Sequence, residues 1–452
     1  MTERLVVVGG DAAGMTAAAT ARRRIPADQL DIVAFEKGNY TSYSACGIPY
    51  LIGGLVPDVD ALIARGPDEH RRRGVDARTG HEVLTIETER RRVLVRRVAD
   101  GVESWEGFDQ LVIATGSTPR RPGLPGVDAA GIFGVQTLDD GLAVRAASDA
   151  DDARHAVVVG GGYVGLELGE ALVRRGLSVA LVESAPQPMS TLDPEMGALV
   201  ADALRSVGVE VYVGERVEGF DTDAGQVTGV QTAARVLPAD LVILGLGVDP
   251  NSGLARDAGI PVGASGGVVV DDHVRAGVDG IYAAGDCSET FHRVSRRPVV
   301  VALGTHANKQ GRVAGINASG GDAVFPGVLG TAASKICKYE VARTGLNERE
   351  AAAAGFDAFA VSTDTTTRAG YYPDAAPIRV RVVAERGTGR LLGAQIVGEE
   401  GAAKRVDVLA AAIWNEMTVD EVASMDLSYA PPFAPVWDPT LMAARRAAAA
   451  LA

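Results

Sequence analysis

Twice along this chain an apolar strand runs into a glycine-rich loop, a helix follows, and a second strand ends in an acid. The first copy reads Leu5 to Val8, then Gly9-Gly10-Asp11-Ala12-Ala13-Gly14, a helix from Met15 to Arg24, and a strand from Leu30 to Phe35 closed by Glu36. The second reads Ala156 to Val159, Gly160-Gly161-Gly162-Tyr163-Val164-Gly165, a helix through Arg174, and a strand from Ser178 to Val182 closed by Glu183. Such a loop lets the backbone approach a pyrophosphate, and the helix behind it offers unpaired N–H groups and the positive end of its dipole. The acid falls where it accepts from a ribose hydroxyl. Two copies therefore predict two dinucleotide sites in an α/β fold. They differ at the middle glycine, which is Asp11 in the first loop.

Between the copies, Leu111 to Gly116 is an apolar strand entering a small-residue turn, with a proline-rich stretch from Pro119 to Pro125 behind it. Leu241 to Gly247 repeats that strand and turn after the second copy, and Gly280 to Asp286 brings the chain back. The second unit reads as an insertion in the first. From about Leu329 the pattern alternates, as in Ile378 to Val383 and Leu392 to Val397, and a helix is expected from Ala402 to Trp414. The expected division is a first dinucleotide domain of 1–118 with 251–328, a second of 119–250, and a separate α+β domain of 329–452. A chain of 452 residues is too long for one core. The tail from Tyr429 to Asp438, with Pro431, Pro432 and Pro435, is neither helix nor central strand.

A net charge of −14 argues against general nucleic-acid or anionic-membrane binding. Two basic runs, Arg22 to Arg24 and Arg71 to Arg73, either meet a phosphorylated substrate or are solvated helix faces. The three cysteines, Cys46, Cys287 and Cys337, form no CxxC pair, and the six histidines have no metal spacing, so neither a disulfide framework nor a metal site is expected. The N-terminus enters its first strand at once and the apolar runs are short, from which a cytoplasmic, membrane-free protein is expected.

Together these pieces resemble the two-dinucleotide disulfide reductase flavoproteins along nearly the whole chain. The element Ser42-Tyr43-Ser44-Ala45-Cys46-Gly47 is similar to that of the single-cysteine branch, and Leu51 and Thr41 stand where a paired second cysteine would lie. The resemblance implies FAD on Gly9, Ala13, Gly14, Glu36, Lys37, Val83, Thr115, Gly116 and Asp286. It implies the nicotinamide cofactor on Gly160, Gly162, Tyr163, Val164, Gly165, Glu183 and Gly247. Glu183 favours NADH over NADPH, since it would repel a 2′-phosphate, although the group often takes both. Cys46 is then the redox thiol, with its pKa expected to be lowered. Gly47-Ile48-Pro49 is either a helix start, which would help, or a turn.

Within that branch the matching position for the peroxidase and oxidase histidine is Ala12, which argues against oxygen chemistry. Tyr429 to Asp438 and Gly370-Tyr371-Tyr372-Pro373 resemble elements of coenzyme A-disulfide reductases, in which tyrosines reach the redox cysteine of the other subunit of a homodimer. The resemblance implies Tyr371 and Tyr429 as proton or hydrogen-bond donors, or else ordinary interface aromatics. It implies Arg23, Ser42, Tyr43 and Arg71 on the substrate, and coenzyme A itself as a candidate bound group. Reduction of coenzyme A disulfide, or of a related small disulfide or persulfide, is the expected activity. An NAD(P)H oxidase passing electrons to O2, or a reductase of an electron-carrier protein, is the alternative. Cys287 and Cys337 are expected to be structural.

Overall fold

In the computed structural model, which describes residues 2–451, the strand that begins each glycine unit lies at the centre of its own parallel sheet. In the first sheet the strands run in the order Ile281–Ala283, Gln110–Ile113, Glu3–Val8, Leu30–Glu36, Asp76–Thr79. In the second the order is Glu210–Val213, Ser178–Glu183, His155–Val159, Leu241–Leu244, Ile132–Phe133. The central strands are near-continuous apolar runs because both faces of a parallel sheet are covered. Leu5, Val6, Val7, Val157 and Val158 are all buried.

The chain returns to the first sheet through Ile281–Ala283, which pairs in parallel with Gln110–Ile113. The two crossings between the sheets lie side by side, Ser117–Pro119 pairing antiparallel with Val248–Pro250. Each parallel sheet carries a three-stranded antiparallel sheet, at 81–107 and 217–238, which the sequence reading did not separate. It also passed over helices Pro194–Ser206 and Gly304–Asn317. The latter packs tightly on Ala12–Arg24, because added side-chain carbons at Gly311 and Gly315 would run into the carbonyls of Ala13 and Ala17.

Beyond residue 330 a five-stranded antiparallel sheet is ordered Ala332–Ile336, Tyr339–Gly345, Leu391–Gly398, Pro377–Glu385, Ala358–Thr366. Helices Val406–Trp414 and Pro439–Ala449 cover it and share its core. The expected helix 402–414 begins instead as a short 3-10 turn, Ala403–Arg405. One core joins all three regions: Ile48, Leu51 and Ile52 pack with Leu166 and Leu168 of the second unit and with Ile336, Val341 and Val397 of the last sheet. Among the described residues, no helix is long and apolar enough to cross a membrane.

Candidate functional site: two glycine loops and an exposed thiol

The two loops are built alike, atom for atom where it matters. Gly9 and Gly160 both take positive φ, +111° and +100°, which side chains rarely adopt, and each donates its N–H to the strand alongside. A Cβ on Gly9 would run into the Ala114 carbonyl, and one on Gly160 into that of Gly245. Added carbons at Gly14 and Gly165 would meet the carbonyls of Gly9 and Gly160. These are cradles in which bare backbone faces outward at a helix start, and they fit a pyrophosphate in each unit. Helix Ala12–Arg24 begins behind the first; Tyr163–Arg174 begins behind the second, with Val164 exposed at its start.

Glu36 and Glu183 hold matching places. Glu36 accepts from Gly10 N and Gly38 N, both at 2.7 Å; Glu183 accepts from Gly161 N at 2.8 Å and Ala185 N at 2.7 Å. Each carboxylate is partly exposed and fixed by backbone beside its loop. Lys37 is exposed beside the first.

Thr115 and Gly116 mark the first crossing and are locked to the second. Thr115 Oγ1 donates to Asn251 O at 2.6 Å, Asn251 Nδ2 donates to Thr115 O at 2.9 Å, and Asn251 N donates to Gly116 O at 2.9 Å. Gly116 and Gly247 both need positive φ, +68° and +83°. Asp286 lies close by, accepting from Ser117 Oγ at 3.0 Å, and burial raises its carboxyl. Gln310 accepts from Gly285 N at 2.8 Å and fixes that turn. Val83 lies on the small antiparallel sheet, half-buried against the first unit's core.

Cys46 sits in a 3-10 turn, Ala45–Gly47, continued by helix Ile48–Ile52 with Pro49 in its first turn; of the two readings of that segment, the helix is the one formed. The thiol is exposed. Its expected lowering is not found in the chain by itself: burial of its surroundings pushes it up, the Glu167 carboxylate adds to this, and Asp286 and Asp11 add more weakly. A five-residue helix has little dipole to set against three acids. Those acids place Cys46 where all parts of the site converge, since Asp11 belongs to the first loop, Asp286 to the returning strand and Glu167 to the second unit's helix. Glu167 in turn accepts from Ser334 Oγ of the last sheet at 2.8 Å.

Ser42 and Tyr43 belong to this cluster, on the segment leading to Cys46. Arg71 and Arg23 are exposed at helix ends, and both are already engaged: Arg71 donates to Ala77 O at 2.6 Å and pairs with Asp68, and Arg23 donates to Thr20 Oγ1 at 2.9 Å. Arg22 is turned inward, donating to the carbonyls of Gly74, Ile25 and Leu30, so that member of the basic run is a staple.

Tyr371 and Tyr429 meet: the Tyr371 hydroxyl, by hydrogen bonding, pushes the Tyr429 phenol up. Both are exposed, as are Phe433, Val436 and Trp437, which follow Tyr429 on the irregular tail. Arg405 joins the two segments, donating to Thr367 O and Phe433 O at 2.6 Å each and to Asp438 at 3.1 Å. Cys287 is buried against Ile113 O and Ala284 O, and Cys337 N donates to Glu170 at 2.7 Å. The residues that the sequence reading missed, Glu167, Ser117, Asn251, Gln310 and Arg405, share one property: each acts across a long sequence gap, on partners that no local pattern announces.

Similarity to known proteins agrees with this geometry. Residues 3–315 match the family described as pyridine nucleotide-disulphide oxidoreductase, and residues 331–439 match its dimerisation domain. The NAD(P)H sulfur oxidoreductase (CoA-dependent) of Pyrococcus abyssi is 38% identical over 98% of this chain and 97% of its own. An NADH oxidase of Methanocaldococcus jannaschii is 34% identical over 98% of both chains. The solved NAD-dependent persulfide reductase from A. fulgidus superposes with a TM-score of 0.95 at 38% identity, covering 98% of this chain and 83% of that one.

Proposed function

Because the chain belongs to the pyridine nucleotide-disulphide oxidoreductases, a family of enzymes that use FAD and a nicotinamide nucleotide, we propose that it reduces coenzyme A disulfide, or a coenzyme A persulfide or polysulfide, through Cys46. The observation that carries this reading is one exposed thiol, with no second cysteine beside it, at the point where both dinucleotide units and the returning strand converge. Sulfur chemistry in the P. abyssi and A. fulgidus proteins supports the choice of acceptor.

Residues 9–14 with Glu36, Thr115, Gly116 and Asp286 would hold FAD, and residues 160–165 with Glu183 and Gly247 the nicotinamide nucleotide. Bound FAD would supply two-electron transfer from nicotinamide to sulfur. Cys46 thiolate attacks one sulfur of the substrate, forming a mixed disulfide and expelling the other half as a thiolate. Two electrons and a proton, originating in NAD(P)H, then break the mixed disulfide, releasing the second thiol and restoring the Cys46 thiolate.

In a homodimer, Tyr371 and Tyr429 of the second copy would donate to the leaving sulfur. The cluster of exposed Tyr371, Tyr429, Phe433, Val436 and Trp437 supports an interface there. Arg23 and Arg71 remain the residues proposed to meet the substrate's phosphates. Glu183 supports NADH as the preferred donor.

The test is NADH and NADPH oxidation by the purified enzyme with and without coenzyme A disulfide or polysulfide, anaerobically and in air, following peroxide alongside. Anaerobic turnover that requires the sulfur substrate is the expected result. Turnover sustained only by O2 would make the protein an oxidase.

A further inference from the structure

The segment that carries Cys46 is a copy of a loop in the second unit, with additions. Ser42 stands six places after Glu36, and Met189 six after Glu183. Both take left-handed backbone, φ +46° and +53°, and both donate their N–H to the carbonyl of the second loop glycine, Ser42 to Gly10 at 3.0 Å and Met189 to Gly161 at 2.8 Å. In the second copy the turn is held by that bond, by Leu192 N donating to Met189 O at 2.7 Å and by complete burial of Met189. The turn therefore needs nothing more in order to form.

The first copy has further backbone ties, Ala64 N and Arg65 N donating to Ser42 O at 2.9 and 3.3 Å and Ser44 N to Leu62 O at 2.9 Å, and two side-chain ties that Gly162 and Met189 could not make in the second. Asp11 Oδ1 accepts from Tyr43 N at 3.2 Å, from a position that is glycine in the second loop. The ring Nε2 of His70, a buried residue of helix Pro67–Arg72, lies 3.0 Å from Ser42 Oγ. We propose that Asp11 and His70 are positioning residues for the redox thiol, clamping the Ser42-Tyr43 pair from opposite sides so that Cys46 is held at a fixed place over the first glycine loop. The proposal rests on the reading of Cys46 as the redox thiol.

The charge states suit these roles. Burial pushes His70 down to about 4, with Arg65 and Arg73 adding to this and Glu69 opposing, so a neutral ring serves Ser42 at neutral pH. Burial, opposed by the Tyr43 and Ala12 N–H groups and reinforced by Glu36 and Asp286, pushes Asp11 up to about 7. Asp11 therefore titrates near neutrality, and its charge bears on Cys46 as well.

The test is hydrogen exchange of residues 41–46 in the flavin-loaded protein, with the pH profile of Cys46 alkylation by iodoacetamide. His70→Phe and Asp11→Ala should each speed exchange in 41–46 at least tenfold, and leave the matching turn at 188–190 unchanged. His70→Gln and Asp11→Asn, which keep a hydrogen-bonding oxygen or nitrogen, should restore protection. Asp11→Asn should also move the alkylation midpoint to lower pH, since it removes a negative charge near the thiol. Unchanged exchange at 41–46 in His70→Phe and Asp11→Ala, or an unmoved alkylation midpoint in Asp11→Asn, overturns the proposal. Undiminished disulfide turnover by Cys46→Ser would instead overturn the redox reading, and neither of these readouts depends on it.

Discussion

The two dinucleotide units use one design for two ends. Both have the same glycine strain, the same acid fixed by two backbone N–H groups and the same left-handed turn six residues on. At ten residues past the acid they part. The first unit has Cys46 there, exposed; the second has Asp193, buried and bound to Arg381 and Gln395 of the last sheet at 2.8 and 2.7 Å. The same offset carries an exposed thiol, the proposed point of reaction, in one copy and a point of attachment in the other. A loop held firmly by its own backbone leaves its last residue available for either purpose.

The sharpest way to break the comparison is at the shared glycines. Gly9→Ala should abolish flavin retention, because the new carbon collides with a backbone carbonyl in a conformation that costs about 1–3 kcal/mol by itself for any other residue. Gly160→Ala should keep the flavin and raise the KM for NADH at least tenfold. Flavin absorbance and steady-state kinetics check both, and loss of flavin from Gly160→Ala alone would mean that the units do not divide the cofactors as proposed.

Next in size is the difference at the tenth position. Asp193→Ala should lower stability by about 2 kcal/mol, since it leaves the buried Gln395 amide and one nitrogen of Arg381 without their acceptor while Glu195 and Glu348 still pair with the guanidinium. Cys46→Ala, at an exposed site, should stay within about 0.5 kcal/mol of the native protein. Urea unfolding of the two variants measures the contrast, and equal losses would remove it.

A third effect, read as a dependence on pH, concerns Asp11 against Gly162. A carboxyl raised to about 7 in the fold, against about 4 in the unfolded chain, favours the folded state fully below the unfolded value, and this contribution is lost as pH rises through about 7. Asp11→Asn should therefore gain stability relative to the native protein between pH 5 and 8. A constant difference across that range in urea midpoints would show that Asp11 does not titrate there.

Much of this was legible in the sequence because glycine loops and strand-end acids are local patterns with a single backbone solution. Glu36 and Glu183 fall beside their loops, and the returning strand at 281–283 joins the first sheet as its apolar pattern required. The state of the Cys46 thiol was not legible. The motif leaves Gly47-Ile48-Pro49 as either a helix start or a turn, whereas the thiol is raised by burial first and then by Glu167, Asp286 and Asp11, which come from three separate parts of the chain. The same holds for His70, a histidine in an arginine-rich helix that becomes meaningful only when folding brings it to Ser42.

The central claim is that electrons from NAD(P)H reach a sulfur acceptor through Cys46. The measurement that tests it most directly is anaerobic stopped-flow kinetics of Cys46→Ser beside the native enzyme, with NADH and coenzyme A disulfide. The account predicts flavin reduction by NADH at the native rate and disulfide turnover lower by about a thousandfold or more, the loss expected when a covalent nucleophile is removed. Disulfide turnover within tenfold of native would contradict it.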